Sequence, residues 1–141
     1  MRTTNPNPEQ IERKWYVVDA ANRPLGRLAV EVAKILRGKN KPIFARNLDV
    51  GDFVIVVNAD KVKLSGNKTQ EPIYWHTTFP GGLRSVTKGK LLATKPEQLV
   101  RRAVKGMIPH TALGRHTLAK LKVYAGPNHP HEAQKPEQIE L

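Results

Sequence analysis

An uninterrupted run of five apolar residues, Phe53–Val57, limits the folds open to this chain. A strand with one solvent-exposed face alternates apolar and polar residues, whereas an unbroken apolar run indicates a strand that is covered on both faces. Such strands are typical of parallel sheets with flanking helices. A second short apolar segment, residues 15–20, is β-branched and is also predicted to be a strand. The chain is therefore expected to be an α/β protein.

A helix is predicted between these two strands. Pro24 stands near the first helical position and Gly38 stands where the helix is expected to end. Strand, helix and buried strand make a βαβ unit, whose crossover is expected to be right-handed. The apolar stripe of the helix, at helical spacing, consists of Leu25, Leu28, Ala29, Val32, Ile35 and Leu36.

Further elements are predicted in the second half of the chain. Residues 72–79 are predicted to be a third strand, followed by a flexible loop at residues 80–82. A short helix is predicted over residues 114–120 and a last strand over residues 122–126.

A longer helix is predicted before them, because Thr94 and Glu97 have the spacing of a capping box and Pro109 stands where a helix must stop. Its buried stripe is expected to consist of Leu99, Val100, Ala103, Val104 and Met107.

The 141 residues suit one compact domain. We expect an extended arm over residues 1–13, an α/β domain over residues 14–126 and an irregular tail over residues 127–141. The first ten residues contain two prolines and no apolar run, so neither a signal peptide nor a membrane anchor is expected, and the protein is interpreted as soluble. Cysteine is absent, which excludes disulfides and thiolate-bound zinc.

Charge indicates a polyanionic partner. Lysine and arginine total 24 against 12 acidic residues, a net charge of +12. The excess is uneven, because residues 72–131 contain ten lysines and arginines and a single acid, Glu97. Three acids lie in the last ten residues. A merely solvated surface would mix the two signs, so a basic surface is predicted mainly in the second half.

No catalytic, cofactor or metal site is predicted. The single Gly26 lacks the glycine-rich pattern that binds pyrophosphate, and it more often allows close packing of a helix on a strand. His129 and His131 are the only close pair among five histidines, too few ligands for zinc. Neither serine has a nucleophile-elbow pattern. Four aspartates near strand ends could be catalytic but are interpreted as turn and cap residues: Asp19, Asp49, Asp52 and Asp60.

Three basic segments fit RNA binding better. Arg37, Lys39 and Lys41 surround the glycine helix end, where we expect backbone open to a phosphate. Lys88 and Lys90 repeat this pattern in a predicted loop. The cationic face of the longer helix consists of Arg101, Arg102 and Lys105. Aromatic residues are only 6% and most fall in predicted strands, so phosphate and shape recognition is favoured over base stacking.

Several segments resemble one family, ribosomal protein L-thirteen of the large subunit. The strongest is VKGMIPHTALGRHTLAKLKVYAG, residues 104–126, and five more are similar in the right order: WYVVDA with PLGRLA, LRGKNKP, GDFVIVVNA, SGNK and HTTFPGGL. The resemblance covers about residues 15–137. It implies a single three-layer α/β/α domain around a mainly parallel four-stranded sheet. It also implies a non-catalytic protein that binds large-subunit ribosomal RNA, acts early in subunit assembly and contacts neighbouring ribosomal proteins in the cytoplasm.

The resemblance also implies which residues contact RNA. By position they are Arg37, Lys39, Lys41, His76, Arg84, Lys88, Lys90, Lys105, His110, Arg115, Lys120 and Lys122. Two alternatives stay open at this point. One is a free regulatory RNA-binding protein, and the less favoured one is a small α/β enzyme that processes nucleic acid.

Overall fold

The computed structural model describes residues 5–141 of the chain. Six strands and four α-helices lie within that range. In chain order they are β1 (Trp15–Asp19), α1 (Leu25–Arg37), β2 (Phe53–Val57), β3 (Pro72–His76), β4 (Leu83–Thr87), α2 (Lys88–Thr94), α3 (Pro96–Met107), α4 (Ala112–Ala119), β5 (Leu121–Val123) and β6 (Glu137–Ile139).

Four strands form one parallel sheet in the order β5-β2-β1-β6. The buried apolar run predicted after the first helix forms β2 and pairs with β1. Val18 of β1 is in register with Val56 of β2. The predicted α/β class and the mainly parallel four-stranded sheet are therefore confirmed. α1 begins after Pro24 and ends at Gly38, as the positions of this proline and glycine predicted.

The hydrophobic core lies between one face of the sheet and two helices. Val18, Val54 and Val56 point to that face, where they pack with side chains of α1 and α3 such as Val32 and Val104. All five are fully buried. Neighbouring residues on a strand point to opposite faces, so the side chains between them belong to the other side of the sheet.

The second face of the sheet is covered by the segment between β5 and β6. Trp15 and Phe53 stack there with ring centroids 4.3 Å apart, and the His131 ring lies 5.3 Å from Trp15. Ile55, on the same face, is fully buried. A three-layer arrangement is consistent with these contacts, with α1 and α3 on one side and this crossing segment on the other.

The predicted third strand lies outside the main sheet. Residues 72–76 form β3, which pairs antiparallel with β4, and β4 was not predicted. Its Arg84 and Ser85 are exposed, so it lacks the apolar signal of a buried strand. The predicted flexible loop is a turn closed by backbone hydrogen bonds between Thr77 and Gly82 and between Gly82 and Phe79.

The predicted capping box at the start of α3 is wrong, although Pro96 lies in the first turn as predicted. Thr94 is the last residue of α2, and its hydroxyl donates to the Lys90 carbonyl at 2.9 Å rather than capping α3. α3 begins at Pro96 without a side-chain cap. The stripe is correct at Leu99, Val100 and Val104, which are buried, whereas Ala103 is partly buried and Met107 is exposed.

The predicted irregular tail is wrong over Glu137–Ile139, which forms β6 and pairs with β1. The strand predicted at residues 122–126 is shorter and begins one residue earlier, at Leu121. Of the predicted arm, residues 1–4 lie outside the described residues, and the remainder contains a short 3-10 turn, Pro8–Gln10.

Candidate nucleic-acid interface

The exposed face of α3 is strongly cationic. Its buried residues fix the rotation of the helix and leave Arg101, Arg102 and Lys105 exposed. All three line a groove of about 440 Å³ between α3 and residues of α2 and α4. Cations held on a rigid helix can contact successive phosphates of one RNA backbone.

The β3–β4 hairpin lies against this helix. The Arg102 guanidinium is within 3.5 Å of the Tyr74 carbonyl oxygen, to which it donates. Arg84 of β4 stands opposite Trp75 of β3 and is exposed. We call Arg84, Arg101, Arg102 and Lys105 the α3 face: three of these cations lie on α3, and Arg84 lies on the hairpin that Arg102 contacts.

A second group of cations lies at the end of α1. A groove of about 250 Å³ is lined there by Lys34, Arg37 and Lys39. Met107, the last residue of α3, also lines it. Lys34 also pairs with Glu31 at 2.7 Å. This groove places the predicted Arg37 and Lys39 near the end of α3 and adds Lys34, which sequence reasoning missed.

Arg46 was also missed. It lines a cleft of about 210 Å³ with Arg37 and Phe44, and the Arg37 guanidinium lies 5.9 Å from the Phe44 ring centroid. Arg46 is exposed in a loop without regular structure. Its sequence neighbours are not basic, so no local charge cluster marked it.

The backbone at Gly38 is not open to a phosphate, contrary to the prediction. Gly38 is buried with φ of 75°, and its N–H donates to the Ile35 carbonyl. A side chain there would meet the backbone of Gly51 at 3.0 Å. The glycine serves the close approach of α1 to the segment before β2.

Lys41 has a structural role. Its ammonium donates to Asp52 Oδ1 at 2.6 Å and to the carbonyls of Glu12 and Val50 at 2.9 and 3.1 Å. Asp52 is fully buried and also accepts from the Lys14 N–H at 2.9 Å. These three acceptors account for the three N–H groups of Lys41.

Lys120 is more deeply enclosed. Its side chain is 7% exposed and its ammonium donates to Asp49 Oδ1 at 2.5 Å and to the Gly51 carbonyl at 2.9 Å. Burial lowers the pKa of Lys120 below its ordinary value, although hydrogen bonding to Asp49 opposes that shift. We therefore leave Lys41 and Lys120 out of the proposed RNA surface.

Lys88 and Lys90 lie in the first turn of α2 rather than in the predicted loop. The Thr87 hydroxyl caps that helix by accepting from the Lys90 N–H at 3.3 Å. Lys88 pairs with Glu71, and this pairing lowers the Glu71 pKa. Lys90 is exposed and stays a candidate RNA contact.

The other predicted contacts are dispersed. His76, His110 and Arg115 are exposed on β3, on the turn before α4 and on α4 itself. Lys122 pairs in register with Ile55, so it points to the sheet face opposite α3. The structure therefore does not bring Lys122 to the α3 face.

Three of the four aspartates considered for catalysis, Asp19, Asp49 and Asp52, make contacts within the fold, whereas Asp60 is exposed. Asp19 accepts from the Ala21 N–H and the Asn58 amide, both at 2.9 Å, and these bonds lower its pKa. It is a turn residue, as interpreted. Asp49 and Asp52 bind the two enclosed lysines.

Neither metal binding nor nucleotide binding gains support. His131 bonds with Tyr124 at 2.7 Å, and no group of three possible metal ligands occurs within residues 5–141. A Cβ added at Gly26 would meet nothing within 4 Å, so the interpretation as a close-packing glycine is wrong. No helix in the same range is long and apolar enough to cross a bilayer.

The sequence matches the family model described as Ribosomal protein L13 over residues 13–130. Similar proteins called large ribosomal subunit protein uL13 occur in several bacteria. The Geobacter sulfurreducens protein is 57% identical over the whole of both chains. The Alkaliphilus oremlandii protein is 61% identical over all of this chain and 99% of its own, and the Aquifex aeolicus protein is 54% identical over the same shares. By fold and charge this is a small basic α/β protein. The chain belongs to the ribosomal protein L13 family.

Proposed function

We propose that this chain is a structural, non-catalytic constituent of the large ribosomal subunit and binds its RNA through the α3 face. Family membership supports the ribosomal role, since the relatives are named as large-subunit proteins. Such a role places the protein in the cytoplasm of a bacterium and next to other ribosomal proteins. RNA is the partner that its charge fits.

The proposed RNA contact is supported mainly by the scarcity of acidic residues near the cations of the α3 face. Glu97, at the start of α3, is the only acidic residue in the sequence from residue 72 to residue 131. Glu71, just before the hairpin, is bound to Lys88. The α3 face therefore has a concentrated positive field that a polyanion would neutralise.

The proposed contact set is narrower than the sequence alone indicated. We retain the predicted residues whose side chains are accessible and lie at α3, the hairpin, the end of α1 or the two neighbouring helices. They are Arg37, Lys39, His76, Arg84, Lys90, Arg101, Arg102, Lys105, His110 and Arg115.

Charge reversal on the α3 face tests the proposal. We expect Arg102→Glu with Lys105→Glu to weaken binding to large-subunit ribosomal RNA at least about tenfold and to lower the salt slope of binding by about 2. Both side chains are exposed, so the free energy of unfolding should change by no more than about 0.5 kcal/mol. Filter binding at several salt concentrations and urea unfolding measure these effects.

The matched control is Lys61→Glu with Lys135→Glu, which changes net charge equally at two exposed sites outside the α3 face. Equal loss of affinity in both double variants would show that net charge alone governs binding. Sedimentation of lysate from cells that make each variant then tests incorporation. A wild-type protein that stays free of large subunits at moderate salt would favour a regulatory RNA-binding protein instead.

A further inference from the structure

The β3–β4 hairpin exposes aromatic side chains in a way that phosphate binding does not explain. All eight aromatic residues lie within residues 5–141, and only Tyr74, Trp75 and Phe79 are classed as exposed. Their exposed fractions are 57%, 47% and 72%. The other five are partly buried. Three large exposed rings on one short hairpin make it a candidate interaction site.

Hydrogen bonds of the hairpin turn hold the backbone at Phe79, whose ring is exposed. The Thr77 N–H donates to the Gly82 carbonyl at 3.0 Å, and the Gly82 N–H donates to the Phe79 carbonyl at 2.9 Å. His76 Nδ1 accepts from the N–H of Thr78, which has a positive φ of 71°. A side chain at position 82 would come within 2.2 Å of the Thr77 hydroxyl. The turn is thus closely packed, and the ring is presented without a contact that would bury it.

Two arginines lie at strand β3 of the hairpin. Arg84 stands directly opposite Trp75, and Arg102 donates to the carbonyl of Tyr74. The hairpin sequence, residues 72–87, contains no acidic residue. A partner for this surface must offer negative charge and flat apolar groups together. Unpaired nucleotides do so, because their phosphates bind arginine and their bases stack on aromatic rings.

We infer that the hairpin binds unpaired nucleotides of RNA, with bases stacked on Trp75 and Phe79 and phosphates bound by Arg84 and Arg102. This inference rests on the proposed function and deepens it, because it assigns single-stranded RNA to one part of the surface. A duplex keeps its bases stacked on each other and cannot offer them to the rings. The other two cations of the α3 face, Arg101 and Lys105, bind the phosphate backbone of either paired or unpaired RNA.

Two substitutions at Trp75 separate stacking from general apolar contact. Trp75→Phe keeps a flat ring, whereas Trp75→Leu keeps apolar bulk without one. We expect Trp75→Leu to weaken binding to large-subunit ribosomal RNA about tenfold and Trp75→Phe to weaken it less than about threefold. The salt slope should stay that of the wild type in both, since no cation is removed. Binding to a fully paired RNA duplex should not change.

Fluorescence gives a direct readout. The chain has two tryptophans, so Trp15→Phe leaves Trp75 as the sole tryptophan while retaining an aromatic ring beside Phe53. Large-subunit ribosomal RNA should quench Trp75 in this variant, and the duplex at equal nucleotide concentration should not. The affinity series uses the wild-type background, so it does not depend on how well Trp15→Phe folds.

Each contrary outcome has its own meaning. Equal losses for Trp75→Phe and Trp75→Leu, or no loss for either, would overturn the stacking assignment while RNA binding itself persists. Unchanged RNA affinity with failed incorporation of Trp75→Leu into subunits would also overturn it, in favour of a protein partner at the hairpin. A wild-type protein that binds neither RNA would instead overturn the proposed function.

Discussion

Lys120, just after α4, and Lys105, in the last turn of α3, have opposite surroundings. Lys120 is enclosed beside Asp49 and the Gly51 carbonyl. Lys105 is exposed on the α3 face, in a groove lined by two arginines. The first lysine neutralises a carboxylate of its own chain, whereas the second is available to an external anion.

The contrast extends to the two groups that these lysines represent. Lys41 and Lys120 bind Asp52 and Asp49 in the segment just before β2. The Lys120–Asp49 pair joins residues 71 positions apart, whereas the Lys41–Asp52 pair spans 11 positions. Within residues 5–141, the cations of the α3 face have no such carboxylate partner. The total of 24 lysines and arginines therefore overstates the number of cations that RNA can reach, because some of them neutralise carboxylates of the same chain.

The largest effect is expected from removing a buried carboxylate. Asp52→Ala would remove the only carboxylate within residues 5–141 that pairs with the Lys41 ammonium, leaving it two carbonyl acceptors, and would remove the acceptor of the Lys14 N–H. We expect a loss of about 3–5 kcal/mol in the free energy of unfolding, measured by urea denaturation. The control is Asp60→Ala at an exposed turn, with an expected change below about 0.5 kcal/mol. If Asp52→Ala and Asp60→Ala had similar stability, the structural role assigned to Asp52 would be wrong.

The two lysines can be compared directly by the same substitution. Lys120→Met leaves Asp49 and the Gly51 carbonyl without a donor, and we expect a loss of about 2–3 kcal/mol. Lys105→Met should change stability by less than about 0.5 kcal/mol but should weaken RNA binding. Adding Asp49→Asn to Lys120→Met should recover part of the stability. If Lys105→Met proved the more damaging to the fold, the division between the groups would be wrong.

The smallest effect concerns alkaline pH. Burial holds the pKa of Lys120 below its ordinary 10.5, so the unfolded chain binds more protons than the folded chain between those two pKa values. Stability contributed at this site should therefore rise with pH in that window and level off above 10.5. Tyr16, whose pKa burial raises, has the opposite effect above pH 10 but is present in both proteins.

Urea unfolding of the wild type and Lys120→Met, at intervals from about pH 8 upward, measures the difference. The stability gap between them should widen in favour of the wild type as pH rises. Parallel curves would mean that Lys120 titrates as an ordinary exposed lysine.

The sequence predicted those parts of the fold whose signals are local. The helical spacing of α1 and the apolar run of β2 each lie within a dozen or so residues, so the βαβ unit was correct. β6 is short, mostly exposed and paired with a strand near the other end of the chain. It had no apolar pattern by which to be found.

The same difference between local and distant signals explains which residues of the candidate interface could be predicted. Arg101, Arg102 and Lys105 were assigned to an exposed face because the buried stripe of their own helix fixes its rotation. Lys120 could not be judged in this way, because its partner Asp49 lies 71 residues earlier in the chain. The exposed aromatic rings were missed because strands usually bury such side chains, and this pair of strands stands outside the sheet.

The pairing of β1 with β6 imposes an order on folding during synthesis. About 120 residues separate Tyr16 from its partner Glu137. At roughly 5–20 residues per second, a translating ribosome needs on the order of ten seconds to make that interval. During this time β2 can pair with one edge of β1, while the other edge stays open to strands of other nascent chains. Closing that edge is among the last steps of folding, so the interval before it is when aggregation is most readily seeded.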